Sequence, residues 1–235
     1  MSKRLPVVIF MAICLAAAGS VVGQKQSKPW KEWSKTDAQK VLHDSPWAHP
    51  QIDQDFVEPT TLQRPRDPSI NERLNQNEGM TYGIRFFSAR PVRRAFVRMI
   101  QLQKKDLAPD MLSRLDSFAD VLSEDSVIIA VTVENPDANM LGKAMQIFRN
   151  ASTAPLKNNT YLERSDGKRV FLEQYTPPGS DGFGARFIFP RMLDGKPFLD
   201  TEFTIVRFVS DLDPLIKLHM TYKVKEMMLD GKLEY

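Results

Sequence analysis

The sequence predicts an α+β domain: a mostly antiparallel sheet with helices packed on one face, preceded by a short tryptophan-rich helical segment. Three observations lead there. Apolar residues recur at helical spacing in three segments between Arg90 and Arg149. Val127-Ile128-Ile129-Ala130-Val131 is an unbroken apolar run, the pattern of a strand covered on both faces. Beyond Tyr161 the chain turns to short strands, punctuated by Asp-Gly pairs at 166–167, 194–195 and 230–231. With the C-terminal third strand after strand, the sum is an α+β domain.

Residues 1–23 read as a signal peptide. Lys3 and Arg4 give a short positive start, Leu5 to Ala18 is apolar, and Val21-Val22-Gly23 offers small side chains for cleavage near Gly23. The run is shorter than the roughly 20 residues a membrane helix needs. Cleavage removes Cys14, so the mature chain is expected to lack both a thiol nucleophile and a disulfide. It also takes the 32 basic residues to 30 against 29 acids, a net charge of +1. That balance gives no reason to expect a nucleic-acid partner. No second apolar run reaches spanning length, so no transmembrane span is expected in the mature chain, which is placed in the periplasm or outside the cell.

Residues 24–48 form the tryptophan-rich helical segment. Ser34 with Asp37 three positions on is a capping-box pattern, Ala38, Val41 and Leu42 make a short apolar stripe, and Pro46 stops the helix near Asp44. Residues 49–79 carry Pro50, Pro59, Pro65 and Pro68 and few large apolar side chains, which reads as an extended linker or excursion. The α+β domain is expected over 80–235.

Within it, Met80–Phe87 reads as a strand. Ser88-Ala89-Arg90-Pro91 opens a helix with Val92, Ala95, Phe96, Met99 and Ile100 on one face. A second helix follows Pro109, with Met111, Leu112, Leu115, Phe118, Ala119 and Leu122 inward, and a third spans Asn139 to Arg149. Tyr161–Arg164 and Arg169–Tyr175 form a hairpin about Asp166-Gly167. Ala185–Phe189 and Phe203–Val209 are further strands. Ile216, Leu218, Met220, Tyr222 and Val224 alternate with Lys217, His219, Thr221, Lys223 and Lys225, giving a strand with one dry and one wet face.

Two features could bind something. Gly79–Lys105 contains seven basic residues and no acid, and Arg90, Arg93, Arg94 and Arg98 fall at the start of a helix. Guanidinium forks and a helix N-terminus both favour an anion, so these four are the candidate anion site, against the alternative of a solvated helix face. Trp30, Trp33 and Trp47 are the second feature. They read either as a clamp docking the short helix onto the main domain or as an aromatic ligand patch.

Other chemistry is not supported. His43, His49 and His219 have no metal-binding spacing, and Asp53, Asp55 and Glu58 lack the glycine turn of a calcium loop. No metal, cofactor or catalytic residue is assigned, since no nucleophile elbow, phosphate loop or dinucleotide fingerprint occurs.

Trp33-Ser34-Lys35-Thr36-Asp37 continuing to Asp44-Ser45-Pro46-Trp47-Ala48, together with Ser88-Ala89-Arg90-Pro91-Val92-Arg93-Arg94-Ala95, resembles a family of uncharacterised exported proteins known mainly from acidobacteria. The resemblance implies bacterial export and a shared architecture for the two patches. It implies no activity.

The leading expectation is an exported, non-enzymatic structural or binding protein of the bacterial envelope. Its partner would be an envelope component or another exported protein. One alternative is a binding module for an anionic small molecule, lipid headgroup or wall polymer. Another is a hydrolase with unidentified carboxylate catalysts.

Overall fold

A computed structural model describes residues 28–53, 79–104, 106–121 and 125–235. The expected signal peptide and residues 54–78 of the expected linker lie outside these.

The capping box forms. Ser34 Oγ accepts from the Asp37 amide at 3.1 Å, and the Ser34 amide donates to Asp37 Oδ2 at 2.8 Å. Helix α1 therefore runs Lys35–His43, after a single 3-10 turn at Trp30–Glu32.

The antiparallel structure is divided between two sheets. The first contains β1 (Ala48–Asp53), β2 (Met80–Phe86), β3 (Ser126–Glu134), β6 (Gln174–Thr176) and β7 (Ala185–Pro190), in the order β1-β2-β3-β7-β6. The second contains β4 (Thr160–Arg164), β5 (Arg169–Phe171), β10 (Ile205–Asp213) and β11 (Ile216–Lys223), in the order β11-β10-β4-β5. Strands β8 (Met192–Leu193) and β9 (Lys196–Pro197) make one small ribbon, and β12 (Met228–Leu229) and β13 (Lys232–Leu233) another.

The two large sheets face each other across an aromatic core. Phe187 meets Phe208 with ring centroids 5.3 Å apart, and Phe86 meets Tyr222 edge-on at 4.8 Å. The Tyr222 hydroxyl donates to the Ile84 carbonyl at 2.9 Å, which satisfies its one polar atom in this dry layer.

The other face of the first sheet carries helix α2 (Arg90–Gln103), with α3 (Pro109–Asp120) packed on α2. Phe87, Phe96, Phe118 and Phe183 cluster at that junction. Arg85 points into it from β2, 3% exposed, and donates to Thr132 Oγ1 at 2.6 Å. Gly83 makes the room: a Cβ there would stand 2.6 Å from Arg85 Nη2 and 2.7 Å from Thr132 Oγ1. Helix α4 (Ala138–Asn150) packs from the side of the inter-sheet layer, with Phe148 against Tyr82 and its carbonyl accepting from the Tyr175 hydroxyl at 2.6 Å. A last short helix, α5, covers Thr153–Leu156.

Three expectations are corrected. Residues 49–53, expected to open the linker, are strand, because Ala48–Asp53 pairs with β2 in full register. Pro50 fits there since β1 is an edge strand, where a missing amide disrupts no inner ladder. The strand expected over 169–175 is two strands in different sheets. Leu172 N donates to Thr160 O and Glu173 N to Ile188 O, so the chain changes sheets between them. Met111 and Leu112 are exposed, because α3 rests on α2 and has no sheet beneath its first turn.

The opposite edge of the sandwich is joined by a side chain. Gln51 of β1 donates through Nε2 to Lys217 O at 2.7 Å and accepts from His219 N at 2.8 Å, both on β11.

Candidate functional site

Helix α2 begins without a side-chain cap, because Ala89 holds the capping position. Its cap comes instead from the far end of the sequence. The Glu234 carboxylate accepts from Arg90 Nε at 2.7 Å and from the Arg90 amide at 3.4 Å, and pairs also with Arg90 Nη2. A carboxylate at this place satisfies helix-end donors and meets the positive end of the dipole. It holds the Arg90 guanidinium even more firmly protonated than usual.

Arg93 lies one turn further on, on the same side of the helix. It is 5% exposed, and its Nε and Nη2 have no hydrogen-bond partner. Burial lowers its pKa; Glu234 and Asp120 oppose that, while Arg90 and Arg191 add to it. Arg191 follows β7. Its Nη2 donates to the backbone oxygen of Tyr235, its guanidinium lies 4.2 Å from the centre of the Tyr235 ring, and its Nε is buried and unpartnered.

Arg93 thus lies within electrostatic reach of Arg90, Arg191 and Asp120, and of the Glu234 carboxylate that pairs with Arg90. Other segments fix that carboxylate's backbone. Trp47 Nε1 donates to Glu234 O at 2.8 Å, the Glu234 amide donates to Met227 O at 2.9 Å, and the Tyr235 hydroxyl accepts from the Leu199 amide at 3.4 Å. Glu234 and Tyr235 are 4% and 5% exposed.

The four arginines expected as one site separate into two groups. Arg90 and Arg93 enter the nest. Arg94 pairs with Asp120 of α3 at 2.8 Å, and Arg98 donates to the Trp33 carbonyl at 2.7 Å. Those two tie α2 to its neighbours. The three tryptophans separate as well. Trp47 is a wall of the nest. Trp33 is half-buried against the core, with its indole N–H on Lys28 O at 3.0 Å. Trp30 is half-buried beneath the Lys31 ammonium, 5.4 Å from the ring centre. Sequence reasoning misses Arg191, Glu234 and Tyr235, because nothing in their local sequence places them beside the start of α2.

A concavity of about 400 Å³ lies at the β10–β11 turn, lined by Asn159, Asp211, Asp213 and Lys217 over Leu156 and Leu212. A register shift between Asp211 and Asp213 bends the strand there. Asp213 Oδ1 accepts from the Leu215 amide at 3.0 Å, which closes the turn, and His219 Nε2 stands 3.8 Å from Asp211 at the surface. Asp211 is exposed to solvent, and Asp213 serves the turn.

Ser45, which sits beside His43 and Asp44 in the sequence, donates its hydroxyl to Val41 O at 2.7 Å and accepts from the Trp47 amide at 3.3 Å. It shapes a turn. Among the described residues no group of three or more His, Cys, Asp or Glu could hold a metal ion. Asp53 lies in β1, whereas Asp55 and Glu58 fall outside the described residues.

No family model and no curated protein matches the chain. A solved protein of unknown function from Burkholderia pseudomallei is similar at a TM-score of 0.43 and 11% identity, covering 60% of this chain and 74% of that one.

Proposed function

We propose that this is an exported, non-catalytic binding protein of the bacterial envelope, whose ligand presents an anionic group to the nest formed by Arg90, Arg93 and Arg191. The observation that carries the reading is Arg93: a side chain 5% exposed, with Nε and Nη2 unpartnered, close to two further guanidinium groups. Buried guanidinium donors left without partners are costly, so an oxyanion seated there gains both the charge and the idle donors. Export is supported by the leader-like residues 1–23 and by the resemblance of the Trp33–Ala48 and Ser88–Ala95 patches. Among the described residues no helix is long and apolar enough to cross a membrane.

The test is thermal unfolding in inorganic phosphate at low ionic strength. At a hundredfold excess over Kd, binding adds about 2.7 kcal/mol, enough to move Tm by several degrees. The wild type should show that rise, and Arg93→Gln should not. An unchanged wild-type Tm across the phosphate series would remove the proposal.

A further inference from the structure

We infer that Glu234 is a built-in competitor for the arginine nest, and that an anion reaches Arg93 by displacing the hairpin that carries Glu234. This rests on the reading of the nest as an anion site and concerns how that site opens.

The first argument is access. Arg93, Glu234 and Tyr235 are each about 95% buried, so an anion arriving from solvent requires a segment to move. The second is which segment can. Arg90 and Arg93 belong to a helix of 14 residues packed on the sheet. Glu234 instead follows a ribbon of two strands, β12 and β13, with two residues each and one turn between them at Asp230-Gly231. Both turn residues have positive φ, 51° and 75°, the pairing that suits a tight two-residue hairpin. Such a ribbon has few backbone bonds to break, although its displacement also releases the contacts of Trp47, Arg191 and Leu199 with Glu234 and Tyr235.

The third argument is that the two anions want the same donors. Glu234 takes the Arg90 fork and the first amide of α2, the groups a phosphate uses at a helix N-terminus. The Glu234 carboxylate leaves Arg93 Nε and Nη2 without partners, and a phosphate has oxygens to offer them as well. Occupation by Glu234 thus reduces the fraction of molecules competent to bind, and by reciprocity phosphate must loosen Glu234.

The experiment is calorimetric titration of inorganic phosphate into wild-type protein, E234Q and R93Q at low ionic strength, with hydrogen exchange on the wild type. E234Q should bind phosphate about tenfold or more tightly than wild type, because it weakens the competitor. R93Q should not bind. In wild-type protein, saturating phosphate should speed exchange at the Glu234 amide, which donates to Met227 O, and across residues 227–235. Equal phosphate affinities for wild type and E234Q, with hairpin protection unchanged, overturn the competition and leave the anion site standing. Absence of phosphate binding in both proteins overturns the anion site itself. The exchange measurement uses wild-type protein, so it decides the matter even if E234Q does not fold.

Discussion

Trp47 and Glu234 are 187 positions apart, yet the indole N–H of one donates to the backbone oxygen of the other at 2.8 Å within the core. That bond fastens the turn before β1 to the segment that caps α2. The nest is therefore part of the core, and disturbing it registers as lost stability as well as lost binding.

Trp47→Phe keeps most of the ring's burial and removes the donor. The Glu234 oxygen is then buried without a partner, a loss of about 1–3 kcal/mol. Urea unfolding should show the drop with an unchanged m-value. Trp47→Ala should cost more, about 3–5 kcal/mol, through the cavity it leaves.

Gly83→Ala drives a methyl group against Arg85 Nη2 and Thr132 Oγ1, both closer than 3.0 Å to the new Cβ. Overpacking of this kind costs about 1–3 kcal/mol. Shortening the neighbour with Arg85→Ala should make the Gly83 substitution far less harmful. A double-mutant cycle on the two sites should give a coupling of at least about 1 kcal/mol, whereas additive effects would mean that the two groups do not collide.

Arg94→Gln separates the two halves of the basic stretch. Its partner Asp120 is half-exposed, so the ion pair is worth about 0.2–1 kcal/mol. Phosphate binding should stay within about twofold of wild type, since a rim charge contributes little direct affinity. A loss as large as that of R93Q would show that the arginines act as one diffuse patch.

Burial raises the pKa of Tyr82, Tyr175 and Tyr222 above the ordinary phenol value. A folded-state pKa above the unfolded one means stability fully present below about pH 10 and lost as pH climbs past it. Spectrophotometric titration should therefore show these three of the five tyrosines ionising only together with unfolding. Reversible ionisation of all five in the folded protein would contradict the burial.

Asp37 gives the opposite sign. The Ser34 amide and hydroxyl hold its carboxylate below the usual pKa, so its contribution is present above about pH 4 and fades as pH falls through the folded value. Ser34→Ala should lower stability by about 0.5–2 kcal/mol at neutral pH. The gap from wild type should narrow in acid, as a pH series of unfolding curves would show.

What the sequence made legible was local. The Ser34–Asp37 box lies within one helical turn, so spacing alone exposes it. Arg90 and Arg93 share a face for the same reason. The change of sheet at Leu172–Glu173 left only a faint trace. Val170 and Leu172 are buried, and the next buried residue is Tyr175, so the two-residue rhythm slips by one. Strand β1 was obscured by Pro50, whose cost disappears at an edge, a fact that belongs to topology. Met111 and Leu112 have the right period but too little beneath them, and periodicity does not report how much cover a helix has. Glu234 meets Arg90, and Arg191 comes near Arg93, through tertiary structure alone, and no short-range pattern encodes either meeting.

The Gln51 amide offers β11 one acceptor and one donor, at the spacing a further strand would provide. It acts as a one-residue imitation of a missing neighbour. The backbone around Lys217 and His219 is thereby closed to β-addition by another chain, without the length of a real strand. Loss of that single amide would leave the core largely intact and bare a sticky margin. The first symptom of damage at Gln51 would be a change in the company the molecule keeps, ahead of any change in its own melting.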